Sequence, residues 1–420
     1  MFELLYYLIG LAVRIGIKPK FDLRVNGLDN YSESPSTLIV ANHKRDLDSV
    51  LLASVFYFRH GYLKPAHPIS FMGDENLFQP GFLGNWIKGP KILKKILQPL
   101  SLNYILHKLH AYPIGKLDFH SVPVHDALRI IQETNGDYSL SEVIKEEALA
   151  GLLAENSFGN ADMTISQFFD REGYPRKKIK SNSFKPYFRK AVKESKVFGV
   201  KNQLSKFIEL LNEGEIIYIT PEGTLSTNGM LGRLKDSLLI LLEEADPEIV
   251  VTPLNITYDF TTDKKTTILV NIGTEITDLD RQDRKEQSET LRKTILKLTT
   301  INLGQLGSYY LSKSKKGKID KIRKKEFFSE VKEYLEQARE SHFSIDSKLY
   351  TQEGIRERWE EFLRYCENQG ALKPDGTECY QIEEDLGRDR TEIPRGYKRN
   401  PITYCANEIK DLEKVGLLDL

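Results

Sequence analysis

Apolar positions along this chain fall into two recurring patterns. Thr37–Ala41, Pro68–Met72, Glu215–Thr220, Glu248–Tyr258 (with Pro253 inside) and Thr267–Ile272 are short apolar runs of the kind that become buried strands. Ser49–Phe58, Ile87–Leu106, Val122–Glu133, Asn202–Leu211, Arg233–Glu244 and Asp283–Asn302 carry their apolar residues at helical spacing. Tyr112–Gly115 reads as a turn or strand end. Strands alternating with helices as far as about residue 303 predict an α/β layer architecture.

Two stretches depart from that alternation. Between about 136 and 200 the chain turns polar after Ser139-Leu140-Ser141-Glu142, a capping-box pattern that predicts a helix running to about Glu155. This stretch reads as a helical insertion. Past Gly304 the strand signals stop, and helical patterns follow at Phe327–Ser341 and Ile355–Asn368. Residues 304–420 are therefore expected to form a separate helical appendage, joined to a body over 21–303 and preceded by an apolar helix over 1–20.

Composition narrows the picture. Sixty basic side chains balance sixty acidic ones, which disfavours a globally basic nucleic-acid binder. Cys366, Cys379 and Cys405 form no Cys-x-x-Cys pair, so neither a structural zinc site nor a disulfide framework is expected, and no His/Glu cluster at zinc spacing implies a metal. No run reaches the ~18–20 apolar residues that cross a bilayer. The nearest is Met1–Ile17, where Glu3 and the bulky Tyr6-Tyr7 pair argue against a cleaved signal. That segment suits either a helix in a membrane interface or one packed on the rest of the protein.

Two clusters carry candidate chemistry. Of the eight histidines, only His43 is followed by an aspartate five positions later, Asp48. Side chains five apart do not meet on a regular helix. Here the intervening residues form a loop between a strand end and a helix start, which lets them meet. An aspartate on one imidazole nitrogen fixes the tautomer and leaves the other nitrogen as a base; equally, Asp48 or Ser49 can simply cap the helix. The second cluster, Pro221-Glu222-Gly223-Thr224-Leu225-Ser226, follows an apolar strand directly. Its glycine and hydroxyls suit a phosphate or polar headgroup, and also an ordinary turn.

Taken in order, Asn42-His43 with Asp48, then Thr220–Ser226, then the apolar strand around Pro253 resemble the glycerolipid acyltransferase superfamily over roughly residues 20–300. Phe71–Phe78 resembles a further family segment. The resemblance implies glycerolipid acyltransferase-type αβ layers over 21–303 and transfer of a fatty acyl group from acyl-CoA or acyl carrier protein to a lyso-glycerolipid hydroxyl, with 1-acylglycerol-3-phosphate foremost. It implies His43 as general base with Asp48 orienting it, an acceptor site of Glu222, Gly223, Thr224 and Ser226, and no cofactor beyond the acyl donor. Lys116, in Pro113-Ile114-Gly115-Lys116, stands where the family's second block has an arginine. Leu225 replaces the third block's arginine, which leaves acylation of a phosphate-free lipid as the rival reading, beside a non-catalytic lipid binder on the same fold. Thr220 lies 177 positions after His43, a gap that accommodates the insertion. A lipid substrate implies a membrane partner. The N-terminal helix and the basic runs Lys91–Lys95, Arg176–Lys180 and Lys313–Lys325 then suggest peripheral or monotopic docking on a cytoplasmic membrane face.

Overall fold

The computed structural model describes residues 2–78, 101–115, 121–154, 160–170, 177–245, 249–279, 282–387 and 396–420. Most of the predicted helix over 87–106, the Lys91–Lys95 run, Arg176 and Lys116 lie outside them. The strands are β1 (Phe21–Asn26), β2 (Thr37–Ala41), β3 (Ser70–Asp74), β4 (Ala111–Ile114), β5 (Ser121–Pro123), β6 (Lys178–Lys180), β7 (Ile217–Ile219), β8 (Val250–Tyr258) and β9 (Thr266–Ile272). Seven of them form one sheet in the order β1-β9-β8-β2-β7-β3-β4. β8, β2, β7 and β3 pair in parallel, whereas β9 runs antiparallel to β8 and parallel to β1. β2 sits between β8 and β7, and all five of its residues are buried. That is why Thr37–Ala41 reads as an unbroken apolar run instead of an alternating one. Pro253 is tolerated inside β8 because it lies at the end of the pairing with β9, where its carbonyl accepts from the Gly273 N–H at 2.9 Å and only the return bond of that end pair is missing.

The chain divides into two compact units. The first comprises residues 1–72, 99–112 and 207–420 and holds the core around Ile39, Phe56, Leu254, Ile256 and Tyr258. The second comprises residues 73–98 and 113–206. It has its own core around Leu128, Ile131, Phe168 and Phe184, so the inserted unit starts well before residue 136. The expected helix to Glu155 is broken into Leu140–Val143 and Glu146–Leu153, because Ile144 adopts an extended conformation and bridges to Phe184.

In the first unit, α1 (Phe2–Ile17) packs on α2 (Asp48–Tyr57). Tyr6 stacks edge-on against Tyr57 at 4.8 Å, and its hydroxyl bonds the backbone of Ile69. Tyr6 and Ile17 are buried, while Leu4, Leu8 and Ile15 are more than half exposed on the opposite face. At helical spacing those three residues fall on one stripe. α1 is thus apolar on both sides and covered on one.

The C-terminal region corrects the expectation of a separate helical appendage. It adds β10 (Thr300–Ile301) paired with β12 (Ser344–Ile345), and a three-stranded sheet β11-β14-β13 of Lys321–Arg323, Cys379–Ile382 and Leu372–Asp375. These strands have two to four residues each, too short to register as apolar runs. Tyr404 and Cys405 belong to the same core as the main sheet, so residues 304–420 complete the first unit instead of standing apart.

Candidate active site

β2 ends at Ala41, and the loop that follows carries the first cluster. Asn42 is buried and uses its side-chain amide like a strand: its Nδ2 donates to the Ile256 carbonyl at 3.0 Å, and its Oδ1 accepts from the Ile256 N–H at 2.7 Å. This pins the loop to β8 one residue before His43. Asp48 is the first residue of α2, with Leu47 as N-cap, so its carboxylate is not a cap of its own helix. It turns back instead. Its Oδ2 accepts from the backbone N–H groups of Lys44 (2.7 Å) and Arg45 (2.8 Å) and lies 3.2 Å from His43 Nδ1. Its Oδ1 accepts from the Tyr258 hydroxyl. Asp48 is fully buried, and its two oxygens are met by two backbone N–H groups, the Tyr258 hydroxyl and the imidazole. Burial and the neighbouring Asp48 push the Tyr258 phenol well above its ordinary value, which keeps it a donor. His43 is partly exposed and faces Asp48 through Nδ1, which leaves Nε2 to take a proton.

The second cluster is held against the first. Glu222 is buried, accepting from the His43 N–H at 3.0 Å and the Gly232 N–H at 2.7 Å. Burial raises its carboxyl above the usual range, and these two backbone bonds oppose the shift. The Ser226 N–H donates to the His43 carbonyl at 2.7 Å, while its hydroxyl donates to the Met230 carbonyl and accepts from the Gly229 N–H, each at 3.1 Å. Both backbone polar groups of His43 are therefore tied to the second cluster. Glu222 and Ser226, expected as acceptor-site residues, thus also fix the loop and His43. Gly223, with φ of 64°, and Thr224 are the exposed members, and Leu225 is half-buried.

Sequence reasoning missed the back of this site. Lys44 is buried and pairs with Glu408 of the C-terminal helix Pro401–Lys414, whose other oxygen accepts from Gln305 Nε2 at 2.7 Å. Burial raises the Glu408 carboxyl, against the pull of Lys44. One turn further, Asp411 accepts from the Leu231 N–H at 2.7 Å and from Arg292 at 2.6 Å. Arg292 also donates to the Leu231 and Gly232 carbonyls. Gly229, with φ of 96°, lies so close to the Tyr404 carbonyl that a side chain there would collide. The available signal was two acids, Glu408 and Asp411, on the same face as the apolar Tyr404 and Leu412, where an unpaired charge would be costly.

The family model described as Acyltransferase matches residues 22–91, the stretch that contains Asn42, His43 and Asp48. This match agrees with the glycerolipid acyltransferase resemblance and covers the segment that carries the histidine and aspartate. Among solved structures, the chain is similar to the 1-acyl-sn-glycerophosphate (LPA) acyltransferase PlsC from Thermotoga maritima. The match has 15% identity and a TM-score of 0.34 over 69% of this chain and 78% of that one. No curated protein sequence matches the chain.

Proposed function

We propose that this chain moves a fatty acyl group from a thioester donor, acyl-CoA or acyl carrier protein, to the free hydroxyl of a lyso-glycerolipid, with 1-acylglycerol-3-phosphate as the acceptor. The observation that carries the reading is the His43–Asp48 pair at the end of β2, 3.2 Å apart, inside the acyltransferase segment. An alcohol is a weak nucleophile near neutral pH. His43 Nε2 takes the hydroxyl proton as that oxygen attacks the thioester carbonyl. The buried Asp48 carboxylate offsets the charge on the imidazolium. The tetrahedral intermediate then expels the thiolate, which receives the proton from His43. No enzyme nucleophile is needed, and no metal or further cofactor enters the scheme.

Glu222, Ser226 and Asn42 hold the backbone on either side of His43, and the exposed Gly223 and Thr224 border the acceptor. Lys116 is assigned to the acceptor phosphate on its position in the second block. The half-buried Leu225, in place of the third block's arginine, favours a second reading in which the acceptor lacks phosphate. Among the described residues no helix is long and apolar enough to cross a membrane. The proposed location is peripheral or monotopic on the cytoplasmic face of a membrane, and the exposed Leu4, Leu8 and Ile15 stripe of α1 supports the membrane contact.

The test is thiol release from acyl-CoA, and from acyl carrier protein, with lysophosphatidate and with a phosphate-free lyso-lipid. His43→Ala should lose on the order of a hundred- to ten-thousand-fold in rate while remaining folded by circular dichroism. A folded His43→Ala protein with wild-type turnover refutes the mechanism. Use of the phosphate-free lipid alone moves the acceptor assignment to the second reading.

A further inference from the structure

A cleft of about 850 Å³ opens where the end of α1, the start of β1, the β8–β9 turn and Lys348 converge, all within the first unit. Its apolar lining is Ile17, Phe21 and Leu23, and its cations include Arg14, Lys18, Lys264, Lys265 and Lys348. The two carboxylates in its wall are already engaged: Asp22 by Arg24, and Glu361 by Arg358 and Lys264. Arg14 and Lys18 make no ion pair among the described residues, Lys348 makes no contact ion pair although its charge acts on the Glu357 carboxylate, and Lys265 donates to the Lys18 carbonyl at 2.9 Å. A concave, partly apolar surface ringed by unpaired cations focuses positive potential on whatever enters it. Its volume is that of a pocket for an organic ligand, for which ~300–1,000 Å³ is usual.

Its place in the sheet says which ligand. β1 and β9 run opposite to β8 and β2, so their first residues, Phe21 and Thr266, lie toward the end of the sheet where β2 gives way to the His43 loop, but beyond Ala41, which is level with Leu254 and with Ile272 at the far end of β9. The order β1-β9-β8-β2 puts three strand spacings between Phe21 and Ala41, about 14 Å at ~4.8 Å each, and the six-residue stagger adds about 20 Å along the strands at ~3.3 Å per residue. The two places are joined by Arg45, whose guanidinium lies 5.0 Å from the Phe21 ring, two residues after His43. A lyso-glycerolipid phosphate is only a few bonds from the attacking hydroxyl and cannot reach that far from His43. The phosphates of coenzyme A are separated from its sulfur by the long pantetheine arm and can.

We propose that this cleft binds the phosphorylated nucleotide end of an acyl-CoA donor, with Arg14, Lys18, Lys265 and Lys348 facing its phosphates and the arm passing Arg45 toward His43. The donor assignment rests on the acyl-transfer reading, but binding can be measured without turnover. The experiment is calorimetry on the full-length protein with coenzyme A, adenosine 3′,5′-bisphosphate, pantetheine and inorganic phosphate, at low and high salt. Lys18→Ala and Lys348→Ala should each weaken coenzyme A by about three- to tenfold, and the double reversal Lys18→Glu/Lys348→Glu by a hundredfold or more. The bisphosphate should bind and pantetheine should not, and affinity should fall with salt. His43→Ala should bind coenzyme A like the wild type. The proposal is overturned if wild type fails to bind coenzyme A, or if the double reversal binds it unchanged. It is equally overturned if the double reversal loses only binding to phosphatidylglycerol vesicles or to acyl carrier protein. Normal coenzyme A binding without acyl transfer to any acceptor would instead defeat the functional reading and leave the cleft assigned.

Discussion

Replacing Asp48 with asparagine separates charge from geometry at the proposed base. Oδ2 faces three donors, His43 Nδ1 and the N–H groups of Lys44 and Arg45, whereas Oδ1 faces only the Tyr258 hydroxyl. An asparagine amide therefore settles with its oxygen at the Oδ2 position and its NH₂ toward Tyr258, whose hydroxyl can rotate to accept. The loop and the His43 tautomer are preserved, and what disappears is the charge opposite the imidazolium. At the observed 3.2 Å, an effective dielectric of ~20 gives that pair about 5 kcal/mol. At ~1.4 kcal/mol per factor of ten, this corresponds to a loss in kcat on the order of a thousandfold, allowing for partial charge in the transition state. Thiol release from acyl-CoA at saturating acceptor measures kcat, and urea unfolding in parallel measures stability, which should change by only about 1–2 kcal/mol. A folded Asp48→Asn enzyme within threefold of wild-type kcat would refute the assignment of Asp48 as counter-charge. Asp48 would then serve only to shape the loop.

Three further outcomes follow from the same geometry. Glu222→Gln turns one of two acceptors into a donor against a backbone N–H, so kcat should fall about tenfold or more with KM for the acceptor little changed; a rise in KM alone would support the acceptor role read from the sequence. Glu408 is held above the ordinary carboxylate range by burial, so the folded protein binds its proton more tightly than the unfolded chain does. Its stabilising contribution is complete below about pH 4.5 and is lost as pH rises through the raised value, and melting curves of Glu408→Gln against wild type should show the variant missing that decline. Leu4→Ser/Leu8→Ser/Ile15→Ser acts on exposed residues of α1, so it should leave circular dichroism unchanged while lowering the bound fraction in vesicle sedimentation; unchanged sedimentation would remove α1 from membrane contact.

The alternation of strands and helices, the β2–loop–α2 unit and the pairing of His43 with Asp48 were all legible in the sequence. They are local: a fully buried strand is a continuous apolar run, and a six-residue loop limits where two side chains five positions apart can go. The boundaries of the inserted unit and the break at Ile144 were not legible, because a bridge to Phe184 forty residues later outweighed the helical pattern around it. The roles of Glu222 and Ser226 were also hidden. A carboxylate and a hydroxyl beside a glycine suit a ligand as well as a backbone, and only the approach of the His43 loop across 179 residues brings them to that backbone. Least legible was the C-terminal region. Its amphipathic helices and strands of two to four residues look like an independent appendage along the chain, and the partners that bury Glu408 and Asp411 are Lys44, Gln305, Leu231 and Arg292. Buried charge is tolerated only where an opposite charge or a donor meets it, and for these residues that meeting exists only in the tertiary fold.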